Sequence, residues 1–273
     1  MQRARAGEPI IMGILNTTPD SFSDGGEFFS PSKAIQHAEQ MLEDGADIID
    51  IGAESTRPGS KRISAANQIE RLCQVLPNLV KLGAPVSIDT TLSPVAKFAI
   101  DSGAQMLNDI SAGEEDSSIF ELAAKFDLPI CLMHKKGIPE TMQANPQYDN
   151  VVAEVAKYLN QRVSLAVSAG IKRENCIVDP GIGFGKTLAH NLALLKNSDQ
   201  FCNIAGAVLV GTSRKRFIDN IADAPSPQSR LGGTIASCVM TFCKGASIFR
   251  VHDVAQTKQA LLVAKEILSA SKS

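Results

Sequence analysis

Eight apolar runs that each stop at a polar residue, helical segments between them, and 273 residues without a break in composition predict one closed parallel α/β barrel. The length suits a single barrel. The same alternation also fits an open doubly wound sheet. No linker or low-complexity block interrupts the chain, so residues 1–273 are expected to form a single domain.

Residues 1–9 read as a short frayed lead-in. Ile10-Ile11-Met12-Gly13-Ile14-Leu15 is the first strand and ends at Asn16. A polar loop rich in Asp, Ser and Gly runs from Thr17 to Phe29. Lys33 to Asp44 has helical spacing, with Ala34, Ala38, Met41 and Leu42 on one face, and Gly45 ends it. Ile48-Ile49-Asp50-Ile51 is the second strand. It opens into a second long loop, Glu54-Ser55-Thr56-Arg57-Pro58-Gly59. Residues 64–82 read as one helix that Pro77 bends.

Val86-Ser87-Ile88 runs into Asp89, and Ser93-Pro94 starts a helix, proline being suited to a first turn. Met106-Leu107 leads to Asn108-Asp109, and Asp116 to Phe126 is helical. Ile130-Cys131-Leu132-Met133 ends at His134, and a long helix spans Asn150 to Ala169. Ile177-Val178 leads to Asp179, and Asn191 to Asn197 is a short helix. Ala207-Val208-Leu209-Val210 leads to Gly211-Thr212-Ser213-Arg214-Lys215. After an insert near Pro225-Ser226-Pro227, Leu231 to Cys243 is helical. Ser247-Ile248-Phe249-Arg250-Val251 ends at His252, and Val254 to Leu268 is the last helix.

Composition narrows the function classes. Hydrophobic residues make up 44% and charged residues 21%, ordinary for a soluble globular chain. A net charge of -2 argues against a nucleic-acid surface. No apolar run approaches a membrane span, and the basic start lacks the apolar core of a signal peptide, so a cytoplasmic location is expected. The six cysteines form no Cys-x-x-Cys pair and share no ligand spacing with the four histidines, which argues against zinc.

Cys176-Ile177-Val178-Asp179-Pro180-Gly181-Ile182-Gly183-Phe184-Gly185-Lys186-Thr187 shows the recurring pattern most clearly. A buried strand stops at a carboxylate with a glycine turn behind it. Such a carboxylate is paired, caps the turn, or faces a ligand. Gly185-Lys186-Thr187 looks like the end of a phosphate-cradling loop. Pro180 stands where that motif needs its first glycine, and proline has no N–H to offer a phosphate.

In a barrel the site lies at the carboxyl ends of the strands. Asn16, Asp50, Asp89, Asn108, His134, Asp179, Lys215, Arg250 and His252 sit there in the reading above. Any one of them alone reads as a turn cap. Together they point to a ligand. Asp89, Asn108 and Asp179 suit a flat heterocycle with adjacent N–H groups, because a carboxylate accepts two parallel N–H bonds. Lys215 offers a point charge, Arg250 a planar cation and His252 a donor for an anion. The two long loops after strands one and two read as binding loops or lids.

Ile14-Leu15-Asn16-Thr17-Thr18-Pro19-Asp20-Ser21-Phe22-Ser23-Asp24-Gly25-Gly26 resembles the first signature of the dihydropteroate synthase family. Asp50-Ile51-Gly52-Ala53-Glu54-Ser55-Thr56-Arg57-Pro58-Gly59 resembles the second. Ser87-Ile88-Asp89-Thr90, Asn108-Asp109-Ile110, Leu132-Met133-His134, the Asp179–Lys186 stretch, Gly211–Lys215 and Arg250-Val251-His252-Asp253-Val254 follow in order. Lys135 and Thr234 depart from the family's usual Met and Ser, and neither is expected to touch the site directly.

The resemblance implies a TIM barrel and a reaction. A dihydropterin bearing a hydroxymethyl diphosphate meets 4-aminobenzoate, diphosphate leaves, and dihydropteroate forms for folate synthesis. It assigns the pterin to Asp89, Asn108, Ile110, Met133, Asp179, Phe184 and Lys215. It assigns diphosphate to Asn16, Arg250 and His252, and 4-aminobenzoate to Phe22, Thr56, Arg57 and Ser213. Asp89, Lys215, Arg250 and Asn16 carry the catalytic roles, Mg²⁺ is the cofactor with Asn16 as its protein ligand, and the last helices form a homodimer. A pterin-binding methyltransferase domain serving a corrinoid protein shares the pocket, but it should lack the Ser-Thr-Arg-Pro loop and Ser213-Arg214-Lys215. A non-catalytic binder of the same fold is a second alternative, and a sulfonamide-insensitive variant of the family is a third.

Overall fold

The apolar runs pair in parallel, each with the next, and the last closes on the first. The computed structural model describes residues 1–17, 30–55, 60, 62–138 and 141–270. Its strands are β1 (Ile10–Asn16), β2 (Ile48–Gly52), β3 (Val86–Asp89), β4 (Met106–Asp109), β5 (Ile130–Met133), β6 (Cys176–Asp179), β7 (Ala207–Val210) and β8 (Ile248–Val251). They form one closed barrel in sequence order. The open-sheet alternative is excluded by the pairing of β8 with β1, which sets Ile10 beside Ile248 and Met12 beside Arg250.

Successive side chains on a strand point to opposite faces, so a barrel strand supplies two apolar sets. Ile11, Ile49, Ile88, Leu107, Leu132, Val178, Val208 and Phe249 belong to the large outer core shared with the helices. Ile10, Met12, Met106, Cys131, Ile177, Ala207, Leu209 and Ile248 form a smaller inner cluster. The expected frayed lead-in contains a short helix, α1 (Gln2–Arg5), whose Ala4 joins that inner cluster. Arg3 binds Asp47 at 2.7 Å and Arg5 binds Glu174 at 2.7 Å. Burying Ala4 and Met1 on the inner cluster gives the lead-in a reason to be ordered that local propensity does not supply.

The covering helices are α2 (Pro31–Glu43), α3 (Ala65–Cys73), α4 (Leu76–Lys81), α5 (Ser93–Asp101), α6 (Ser118–Lys125), α7 (Val151–Ser168), α8 (Leu188–Lys196), α9 (Arg216–Ala222), α10 (Leu231–Phe242) and α11 (Val254–Ser269). The single helix expected over 64–82 is two helices. Pro77 lies in the first turn of α4, where its missing N–H costs nothing. Ser64 caps α3 by accepting from Asn67 N at 3.3 Å.

Helix α9 was hidden in what reads as a loop and insert. Buried Arg230 fixes it from outside. Its guanidinium donates to the carbonyls of Ala224, Arg214 and Pro225 at 2.8, 2.9 and 2.7 Å, and pairs with Asp219 at 3.4 Å. The long loops expected after strands one and two fall mainly on residues 18–29, 56–59 and 61, outside the described residues.

Candidate functional site

Two residues beyond the inner apolar layer, the same inward positions become polar. Met106 is followed by Asn108, Ile177 by Asp179, and Ile248 by Arg250. The register sets Asp50 beside Ser87, Asp89 beside Asn108, and Met133 beside Asp179. Asp109, one residue out of phase, turns away. Its carboxylate accepts from Ser111 N and Gly113 N at 2.7 and 2.6 Å and holds the turn after β4.

Arg250 is the cation of the inner ring. Its Nε donates to Asp50 Oδ2 at 2.6 Å and its Nη2 to Asp89 Oδ2 at 2.8 Å. Asn108 Nδ2 donates to the same Asp50 oxygen at 3.0 Å. Burial pushes the Asp89 carboxyl up, Arg250 pulls it down, and neighbouring Asp50 pushes it up again. Burial works against the Arg250 charge, but Asp50 and Asp89 outweigh it and hold the guanidinium protonated. Asp50, one of the rim residues expected at a strand end, is fully buried at the centre of this network. A lone charge at an inward position among Ile48, Ile49 and Ile51 was the available signal. Arg250, expected at a diphosphate, spends Nε and Nη2 on carboxylates and leaves Nη1 without a hydrogen bond among the described residues.

The second half of the site is the loop after β6. Asp179 Oδ1 accepts from Gly181 N at 2.7 Å. Gly181 has φ +68°, and a Cβ there would lie 1.9 Å from the carbonyl oxygen of His134, so only glycine fits. The next carbonyls are each bound by a side chain. Lys215 Nζ donates to Ile182 O, Gln143 Nε2 to Gly183 O, Lys186 Nζ to Phe184 O at 2.9 Å, and Tyr148 to Gly185 O at 2.9 Å. Lys186 thus turns inward to its own loop, in keeping with rejection of the phosphate-loop reading.

Lys215 Nζ also stands 4.6 Å from the centre of the Phe184 ring, a cation–π distance. Burial lowers its pKa to about 8, with Asp179 opposing and Arg250 reinforcing the shift. Burial raises Asp179, and Lys215 is the main group that opposes this. The site therefore pairs carboxylates that are costly to keep charged with a lysine whose charge burial also disfavours.

The remaining expected residues divide. Ser213 Oγ lies 2.9 Å from His252 Nδ1 and accepts from His252 N at 3.1 Å, which joins the loops after β7 and β8. Ile110 and Met133 are buried beside the polar ends. Asn16 ends β1 opposite Gly52 and is half-buried. Phe22, Thr56 and Arg57 lie outside the described residues. Thr234, expected to stand apart from the site, is fully buried, and its Oγ1 accepts from Arg214 N at 3.1 Å. It supports the loop that carries Ser213 and Lys215.

Comparison with known proteins places this rim in context. The family described as pterin-binding enzyme matches residues 12–252. The dihydropteroate synthase of Haemophilus influenzae is 47% identical over 256 residues, covering 93% of this chain and 92% of its own. The Yersinia pestis dihydropteroate synthase, solved in a sulfonamide drug complex, superposes with TM-score 0.90 at 40% identity, covering 96% of this chain and 95% of its own. The Xanthomonas albilineans dihydropteroate synthase, solved with 4-aminobenzoic acid, gives TM-score 0.90 at 38% identity over 97% of this chain and 94% of its own.

Proposed function

The chain belongs to the dihydropteroate synthase family of pterin-binding enzymes, and we propose that its strand-end cluster is the pterin and diphosphate site of that reaction. The enzyme joins 6-hydroxymethyl-7,8-dihydropterin diphosphate to 4-aminobenzoate, giving 7,8-dihydropteroate and diphosphate. The observation that carries the site reading is the inward placement of Asp89, Asn108 and Asp179 at the ends of β3, β4 and β6, with Lys215 over the Phe184 ring.

In this reading Asp179 and Asn108 take the N–H groups of the pterin, Lys215 its ring carbonyl, and Ile110, Met133 and Phe184 its faces. Asp89 lies beneath the ring and stabilises positive charge that develops on the methylene carbon as diphosphate departs. Arg250 stays paired to Asp50 and Asp89 through Nε and Nη2 and offers Nη1 to the diphosphate. His252, oriented by Ser213, offers a further donor. The neutral aniline of 4-aminobenzoate then attacks, and it needs position more than a strong base. Phe22, Thr56, Arg57 and Ser213 are assigned to hold it.

Among the described residues no group of three or more His, Cys, Asp or Glu could hold a metal. Mg²⁺ that enters with the diphosphate keeps several waters and needs few protein ligands, so a single side chain at the end of β1 suffices for it in this reading. Asn16 would supply one amide oxygen. A Mg²⁺ held there would supply charge neutralisation for the departing diphosphate.

Met240 on α10 and Leu262, Val263, Ile267 and Leu268 on α11 are exposed. Such a face supports a homodimer through the last helices. Light scattering at micromolar concentration should show about twice the 29.0 kDa chain mass. The whole chain is assigned to one pterin-binding domain. No helix among the described residues is long and apolar enough to cross a membrane, and a cytoplasmic location is proposed. The decisive assay is diphosphate release that depends on 4-aminobenzoate. Release without 4-aminobenzoate, or none with both substrates, would reject the assignment.

A further inference from the structure

Lys186 is buried, and no role in the reaction as described above uses it. Its Nζ lies 3.0 Å from His134 Nδ1, 3.3 Å from His134 O and 2.9 Å from Phe184 O. An ammonium donating to all three satisfies this triad, and so does an amine that donates to the two carbonyls and accepts from Nδ1–H. The Nδ1 contact is a hydrogen bond in either case, with donor and acceptor set by the His134 tautomer. Burial and the adjacent Lys186 push His134 down to about 3, so its ring is neutral. Burial pushes Lys186 itself well below its ordinary value, with Asp179 opposing and Lys215 adding to the shift.

The lysine connects two strand ends that both border the pterin site. His134 follows β5, and its backbone N–H donates to Asp179 O at 3.0 Å. Phe184 is the wall under Lys215. Between them lies Gly181, whose N–H binds Asp179 Oδ1 and whose missing Cβ leaves room for His134 O. We propose that Lys186 is a positioning residue for the pterin: its Nζ ties His134 to the Phe184 carbonyl and thereby sets the spacing between the Asp179 carboxylate and the Phe184 ring. A flat heterocycle needs both at once, one at its edge and one at its face. The proposal rests on the assignment of the pterin to this cluster.

The test is calorimetric titration with 6-hydroxymethyl-7,8-dihydropterin diphosphate of wild type, Lys186→Met, His134→Leu, His134→Asn and the double variant Lys186→Met/His134→Leu. Binding stoichiometry corrects each protein for its folded fraction. Lys186→Met is expected to weaken pterin binding about tenfold or more and to raise the pterin KM while leaving the 4-aminobenzoate KM unchanged. His134→Leu should do the same. His134→Asn keeps an acceptor near Nδ1 and should stay within about threefold of wild type. The double variant should be no worse than the worse single one, because both remove one tie.

Pterin affinity per folded molecule that is unchanged in Lys186→Met would overturn the proposal, as would full additivity in the double variant. If Lys186→Met does not fold, the two His134 variants decide: equal affinities in Leu and Asn overturn it, and a loss confined to Leu sustains it. Failure of the wild type to bind the pterin would instead reject the site assignment on which the proposal rests.

Discussion

Two clusters of charge sit at the same end of the barrel and are built in opposite ways. Around Glu115 every charge is answered by the protein. Its Oε2 accepts from Arg62 and Thr91, both at 2.6 Å, and its Oε1 accepts from Lys135. Arg62 continues to Glu54 at 3.0 Å. Burial pushes the Glu115 carboxyl up, but donors from Lys135, Thr91 and Arg62 outweigh it and bring it down to about 2. This cluster ties together the loops after β2, β3, β4 and β5.

In the mouth the balance runs the other way. Burial leaves Asp89 and Asp179 raised and Lys215 lowered. Asp50 Oδ1 and Ser87 Oγ are buried without a hydrogen-bond partner among the described residues. Buried polar groups are normally satisfied, and exceptions gather where function uses them. A cluster whose hydrogen bonds are complete holds a structure, and one whose bonds are incomplete has capacity left for a ligand. Nothing in the residue types alone separates the two, since both are built from Asp or Glu, Arg and Lys.

The contrast is open to direct attack. The largest effect is expected from Arg250→Met, which leaves fully buried Asp50 and nearly buried Asp89 uncompensated. Removing one partner from a buried pair costs about 3–5 kcal/mol, and urea unfolding at neutral pH should show a loss of that size. A loss below about 1 kcal/mol would mean that water already reaches the carboxylates.

Asp179→Asn comes next and separates binding from stability. It turns one acceptor into a donor at the pterin edge and should cost roughly 1.5–3 kcal/mol of pterin affinity, at least about tenfold. Because burial already disfavours the charged form, the unfolding midpoint should hardly move. Unchanged pterin binding by calorimetry would remove Asp179 from the site.

Glu115→Gln probes the satisfied cluster, where the signature is in stability and its pH dependence. The folded carboxyl lies near 2 against an ordinary 4.5. A depressed folded pKa means that the unfolded chain takes up the proton first as pH falls. The stabilisation is therefore complete above about pH 4.5 and fades towards about pH 2. Glu115→Gln should lose roughly 1 kcal/mol at pH 6 and converge on wild type in strong acid. A constant difference across that range would show that Glu115 acts by packing and not by charge.

Lys135→Met should have the smallest effect. It breaks one of the ties to Glu115 while Arg62 and Thr91 remain. The expected cost is below about 1 kcal/mol in urea unfolding, with pterin affinity unchanged. Loss of pterin binding would show that the two clusters are coupled.

The barrel was legible because strand period and helix period are local. Asp89, Asn108 and Asp179 could be placed at strand ends from their own neighbours, and β5 and β7 match the expected residues. The boundary between α3 and α4 and the existence of α9 were less legible, since Arg230 fixes α9 through carbonyls on both sides of it. Thr234 reads as an ordinary helix residue, and only its contact with Arg214 N makes it a support for the Lys215 loop.

By itself the sequence determined the eightfold alternation, the polar strand ends and, through its motifs, the family. It did so because side-chain direction along a strand and apolar spacing along a helix are decided within a few residues. Only the tertiary structure decided which charges meet. Arg250 binds Asp50 across 200 positions and Asp89 across 161, and these contacts exist because β8 closes on β1. The same holds for Lys186 and His134, 52 positions apart on neighbouring loops. Whether a charge is satisfied, buried or left for a ligand depends on such distant partners, and no local pattern encodes them.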